Sequence, residues 1–96
     1  MAPAPEKRAF HALVHGRVQG VGFRYSAIRQ AHALGIHGTV ANRPDGSVEI
    51  VAEGDAEHLA QFLAWLEKGP PGARVRNVDL EWIPYTGSFE SFEVEF

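Results

Sequence analysis

The hydrophobic period of this 96-residue chain switches four times between about two and about 3.6, and that order leaves few architectures open. From Arg8 to His15, Phe10, Ala12 and Val14 alternate with other residues, as a half-buried strand requires. From Phe23 to Leu34, Phe23, Ala27, Ala31 and Leu34 recur at helical spacing, with Ile28 widening the stripe. Gly35 follows as a natural stop, since glycine takes the left-handed cap conformation cheaply. Ile36–Asn42 and Ser47–Glu53 read as two more strands. In the second of them Val48, Ile50 and Ala52 face one way, while Glu49 and Glu53 are expected to face solvent. Pro44-Asp45-Gly46 between them is a turn, so the two strands form a hairpin. Asp55 suits the N-cap of a second helix, in which Leu59, Phe62, Leu63 and Leu66 fall at i, i+3, i+4 and i+7. Gly69-Pro70-Pro71-Gly72 ends it. A fourth strand is expected at Val75–Ile83, where Val78, Leu80 and Trp82 alternate with Asp79 and Glu81, and a short last one at Phe92–Phe96.

The element order is therefore β-α-β-β-α-β plus a terminal strand. Strands with one wet face predict a mostly antiparallel sheet, and two amphipathic helices must cover the other face. This is an α/β (α+β) fold, a ferredoxin-like two-layer sandwich. The length allows one domain, expected at residues 8–96 behind a flexible N-terminal tail at 1–7. Such a fold hosts many unrelated activities, so function has to be read from particular residues.

Composition removes several classes. Hydrophobic residues at 45% and charged residues at 22% are those of an ordinary globular protein. The absence of cysteine excludes disulfides, thiolate nucleophiles and Cys-based zinc sites. No apolar run approaches the roughly 20 residues of a membrane span, and the opening MAPAPEK lacks the apolar core of a secretory signal. A cytoplasmic protein without a membrane partner is expected. Residues 1–43 carry six bases and one acid, while residues 44–96 carry three bases and eleven acids, for an overall charge of −3. A nucleic-acid footprint would need a basic total, whereas a small anion needs only a local positive site, which the first half can supply.

The segment Gly16-Arg17-Val18-Gln19-Gly20-Val21-Gly22-Phe23-Arg24 lies between a strand and a helix start. Main-chain N–H groups of such a loop can converge, and the first N–H groups of a helix are unsatisfied and partly positive. Together they suit a phosphate-sized anion, provided no Cβ blocks the approach. Neither familiar nucleotide loop is present. Val21-Gly22-Phe23 stands where a P-loop has Gly-Lys-Ser/Thr, and Tyr25 stands where a dinucleotide fingerprint needs a small residue. Arg24, on the first helical turn, can swing over the same concavity and offer a bidentate, permanently charged fork.

Val14-x-Gly16-x-Val18-Gln19-Gly20-Val21-Gly22-Phe23-Arg24, followed by Gly38-x-Val40-x-Asn42-x-x-Asp45-Gly46-x-Val48-Glu49, resembles the two signature segments of acylphosphatases. The resemblance runs from about residue 9 to 96. It implies metal-free, cofactor-free hydrolysis of a small-molecule acyl phosphate to a carboxylate and inorganic phosphate. It further implies that Arg24 binds phosphate with the main-chain amides of Gln19, Gly20, Val21, Gly22 and Phe23, and that Asn42 positions the attacking water. Thr39 replaces a frequent aromatic, Ala41 a frequent base and Glu95 a frequently basic residue, departures that bear on substrate preference.

The residues weigh against other classes. His11 and His15 share a strand face about 13 Å apart at strand rise, too far to chelate one ion, and His32, His37 and His58 stand singly. There is no Gly-x-Ser-x-Gly elbow for a serine hydrolase, and neither Ser26 nor Ser47 has a triad context. RNA-recognition domains share the element order but stack bases on strand aromatics, absent from Ser47–Glu53. The competing reading is a non-catalytic phosphate or small-ligand module on the same fold, including a domain of this kind within carbamoyl-transfer chemistry. That last setting normally involves a far longer chain. A free-standing monomeric enzyme without nucleic-acid partners is expected.

Overall fold

The computed structural model describes residues 6–96, so most of the expected tail lies outside the described residues. The elements are β1 (Lys7–Arg17), α1 (Phe23–Leu34), β2 (His37–Asn42), β3 (Val48–Asp55), α2 (Ala56–Lys68), β4 (Arg74–Ile83) and β5 (Phe92–Val94). They form one five-stranded sheet in the order β4-β1-β3-β2-β5. Every pairing is antiparallel except the short parallel one between β2 and β5. The ferredoxin-like sandwich read from the hydrophobic periods is the fold observed.

One sheet face is apolar because the even-numbered residues of β1 and β3 all point to it. Phe10, Ala12, Val14, Val48, Ile50 and Ala52 are fully buried, and α1 and α2 lay Phe23, Ala27, Ala31, Leu59, Phe62 and Leu66 against them. Phe62 lies at the centre, stacked with Phe10 at 6.5 Å and Trp65 at 6.3 Å, and edge-on to Phe92 at 5.5 Å. Burying one such aromatic contributes roughly 1.5–3 kcal/mol. The core thus ties both helices, the central strand and the last strand together.

Four local features depart from the sequence reading. Gly16 belongs to β1, at a bulge where the register with β4 shifts between His15 and Gly16, and not to the following loop. Its φ is +128°, and a Cβ there would lie 2.1 Å from the carbonyl oxygen of Arg74, so only glycine lets β1 and β4 approach. Glu53, expected in solvent, is buried because the 84–91 connection folds over it. Its carboxylate accepts hydrogen bonds from Thr86 N at 2.8 Å, Thr86 Oγ1 at 2.9 Å and Gly87 N at 3.0 Å. Asp55 occupies the N-cap of α2 without bonding its amides, since its carboxylate is drawn to Lys7 at 2.6 Å and faces His58 at 3.6 Å. Lys7 holds that carboxyl below its ordinary value. β5 stops at Val94, two residues early, although Glu95 N still donates to Val40 O at 2.9 Å.

The basic and acidic halves of the chain interleave in the fold. β1, from the basic half, lies between β3 and β4, from the acidic half, so Lys7 meets Asp55 across the ladder. His11 Nε2 donates to Glu49 at 2.7 Å, His15 Nε2 to Asp79 at 2.9 Å, and Arg8 lies 4.0 Å over the Trp82 ring. Arg43 likewise meets Glu49 at 3.2 Å, while Arg24, at the same end of the sheet, forms no ion pair with any described residue.

Candidate active site

Strand register creates this end. Val48 opens β3 and pairs with both Val14 of β1 and Asn42 of β2, so β1 delivers its outgoing loop beside the last residue of β2. The loop from Val18 to Phe23 is pinned at both ends by side chains sunk in the core. Val18 is 1% exposed, and Phe23 is 2% exposed with its ring 5.4 Å from Trp65. Between these anchors Gly20 and Gly22 take φ of +74° and +76°, a left-handed conformation that glycine adopts without strain. A rigid concave turn results, leading directly into α1.

A cavity of about 140 Å³ opens in this turn, lined by Val18, Gly20, Gly22, Phe23, Arg24, Tyr25 and Asn42. Among the described residues, no N–H group of residues 19–23 donates to main-chain or side-chain oxygen. Gly22 O accepts from Ser26 N at 3.1 Å, closing the first turn of α1 and leaving the helix N-terminus facing the cavity. Arg24 is half-buried and forms no ion pair with any described residue, and Asn42, exposed, lines the same cavity. The structure thus brings Gly20, Gly22, Phe23, Arg24 and Asn42 onto one surface.

Gln19 and Val21 do not line the cavity. The Gln19 side chain turns away and donates through Nε2 to the carbonyls of Arg43 at 2.8 Å and Ser47 at 2.9 Å. It thereby fastens the loop to the β2–β3 turn, which is itself closed by Arg43 N donating to Ser47 O at 2.9 Å and by Asp45 accepting from Ser47 N and Oγ. Val21 lies over Gly72, beyond the end of α2. Val18 and Tyr25 are wall residues that sequence reasoning did not single out. Val18 reads as one more apolar residue until its burial is seen to fix the loop, and Tyr25, 76% exposed, has no periodic signal.

A second, wider hollow of about 520 Å³ shares Arg24 and Asn42 with the first and continues along Ala41, Arg43, Pro44, Glu49, Glu95 and Phe96. Among the described residues, no three metal-ligating side chains cluster. The histidines are scattered, each beside its own partner: His11 and His15 as above, His32 at the Phe92 carbonyl, His37 at the Phe89 carbonyl and His58 near Asp55.

Residues 10–94, which include the anion-sized turn and Asn42, match the family model for acylphosphatase. The chain belongs to the acylphosphatase family. It is 55% identical over 84 residues to the acylphosphatase of Methylococcus capsulatus, covering 88% of this chain and 91% of that one. Identity to the acylphosphatase of Thermococcus kodakarensis is 50% over the same length and the same shares of both chains. The crystal structure of acylphosphatase from Bacillus subtilis superposes with a TM-score of 0.89 at 34% identity, over 93% of this chain and 99% of that one. Family membership therefore extends over the whole sandwich, including both helices.

Proposed function

We propose that this acylphosphatase-family chain hydrolyses the carboxyl–phosphate bond of small acyl phosphates, with phosphate held by Arg24 and the amides of residues 19–23 and water held by Asn42. The observation that carries the reading is the meeting of unpaired amides, an unpaired guanidinium and an amide side chain on one cavity of phosphate size.

The chemistry asks little more of the protein. Water oxygen attacks phosphorus, the bond from phosphorus to the acyl oxygen breaks, and the acyl group departs as a carboxylate. Both water protons end on the phosphate product, which then ionises to the ambient pH. A carboxylate is a weakly basic leaving group, so no general acid is needed. The loose phosphoryl transition state spreads charge over its equatorial oxygens and gains mainly from fixed donors and positioning. Arg24 supplies a charged fork and the loop supplies N–H dipoles, both already in place because Val18 and Phe23 are anchored in the core. The Asn42 carbonyl accepts a hydrogen bond from the water and holds its oxygen in line, a proximity effect with no base required.

The family relationship supports catalysis over the competing reading of a non-catalytic phosphate-binding module, and turnover separates the two. Release of inorganic phosphate from benzoyl phosphate, with chelator present, is expected from the wild-type chain. Arg24→Ala should lower kcat/KM roughly 10³-fold or more, about 4 kcal/mol of transition-state stabilisation, and weaken phosphate inhibition. Asn42→Ala should depress kcat while sparing phosphate inhibition. An Arg24→Ala variant with near wild-type turnover would overturn the assignment. The same reading takes the protein as a cytoplasmic monomer; separately, no helix among the described residues is long and apolar enough to cross a membrane. A single species of one-chain mass in light scattering checks the oligomeric part.

A further inference from the structure

The wider hollow beside the phosphate cavity points to the kind of acyl group accepted. With phosphate seated against the loop amides, the acyl carbon leaves the small cavity between Arg24 and Asn42, the two residues shared with the hollow. Whatever the acyl group carries is therefore presented to Ala41, Arg43, Pro44, Glu49, Glu95 and Phe96.

The charges of this wall are already partly spent on one another. Arg43 Nη1 donates to Glu49 Oε2 at 3.2 Å, and His11 Nε2 donates to the same oxygen at 2.7 Å. Glu49 is thus held by two partners, and Arg43 is engaged by a carboxylate of its own chain. Ala41 offers neither charge nor hydrogen bond. Among the described residues, Glu95 is the one charged side chain of the hollow, Arg24 aside, without an ion partner. Its main chain is fixed beside β2, with Glu95 N donating to Val40 O at 2.9 Å. Once Arg24 is occupied by phosphate, the acyl end of the site faces a net negative wall.

We propose that Glu95 is a specificity-determining residue and that the site selects acyl phosphates with an uncharged or cationic acyl group over those whose acyl group bears a second carboxylate. This rests on the hydrolytic reading above and adds the substrate class to it. Like charges near an exposed surface repel modestly and are screened by salt, so a discrimination of about fivefold at low ionic strength is expected, fading as salt rises.

The test compares kcat/KM for benzoyl, 4-carboxybenzoyl and 4-(trimethylammonio)benzoyl phosphates in the wild-type, Glu95→Gln and Glu95→Lys proteins. Intrinsic reactivity differs among the three acyl phosphates but cancels when each ratio to benzoyl phosphate is compared between proteins. Relative to wild type, the 4-carboxybenzoyl ratio should rise about fivefold in Glu95→Gln and further in Glu95→Lys, while the trimethylammonio ratio falls in the same order. Both trends should flatten at 1 M salt. Benzoyl phosphate turnover with unchanged ratios in both variants would overturn the specificity assignment and leave hydrolysis standing. Failure of the wild-type protein to hydrolyse any of the three acyl phosphates would overturn both. Ratios that move equally in Glu95→Gln and Glu95→Lys, or that ignore salt, would show a steric effect and refute the electrostatic one.

Discussion

Replacing Gln19 by leucine tests whether the loop and Asn42 act as one unit. The side-chain amide donates two hydrogen bonds, 2.8 Å to the Arg43 carbonyl and 2.9 Å to the Ser47 carbonyl, and leucine keeps the bulk while removing both. Each such bond contributes about 0.5–1.5 kcal/mol net, so Gln19→Leu should lower unfolding free energy by about 1–3 kcal/mol. The consequence for turnover is larger than a stability loss alone. Asn42 directly precedes Arg43, so the freed carbonyl lets the β2–β3 turn drift relative to the loop amides. A misplacement of about 1 Å can cost 10²-fold in rate, and kcat should fall about tenfold to a hundredfold. The amides themselves stay anchored by Val18 and Phe23, so inhibition by inorganic phosphate should change less than about threefold. Urea unfolding, steady-state kinetics with benzoyl phosphate and competitive inhibition by phosphate together give the three readouts. Wild-type kcat in a destabilised Gln19→Leu protein would refute the coupling. Parallel loss of phosphate inhibition and kcat would show that Gln19 shapes the anion cradle itself and does not set its distance from Asn42.

Two further outcomes follow from carboxylates that do not line the small cavity. Ser47 Oγ and N hold the Asp45 carboxyl below its ordinary 3.8. A depressed carboxyl stabilises the fold fully above the unfolded value, and that contribution is lost as pH falls through the folded value. Asp45→Asn keeps the acceptor and removes the titration, so its urea midpoint should drop less between pH 7 and pH 3 than the wild-type midpoint does; equal drops would refute this account. Glu53→Ala leaves Thr86 N and Gly87 N without their acceptor, for a loss of about 3 kcal/mol. Hydrogen exchange should accelerate at residues 86–88 well before β1; uniform acceleration would mean that Glu53 supports the whole sheet and not this connection.

What could be read from the sequence divides by the range of the forces involved. α1 is found at Phe23–Leu34 and ends at Gly35, as its period and cap residue predict, because helix register and termination are settled within a few residues. The glycine turn is legible for the same reason, since Gly20, Gly22, Phe23 and Arg24 are neighbours in the chain and the helix start follows at once. Glu53 was not legible: its alternation with Val48 and Ile50 assigns it to the open face, and only the return of residues 84–91 across that face supplies Thr86 and Gly87 as donors. The Gly16 bulge was hidden likewise, because a glycine next to a glycine-rich loop gives no hint that Arg74 of a strand some sixty residues later needs the space.

The two halves of the site differ in the same way. The proposed phosphate cradle draws on backbone geometry confined to residues 18–25, so a local pattern is enough to mark it, and a single strand register then brings Asn42 to the same cavity. The acyl side is assembled from β2, the start of β3 and the segment after β5, which meet only because β2 lies between β3 and β5. Ala41 to Glu49 fall within the second signature segment, but Glu95 and Phe96 stand more than forty positions further on and outside both segments. A chain can therefore keep the sequence signature of phosphate recognition intact while Ala41 and Glu95 change what the neighbouring wall accepts. The chemistry performed and the substrate chosen are set by different ranges of contact, and only the first leaves a compact mark in the sequence.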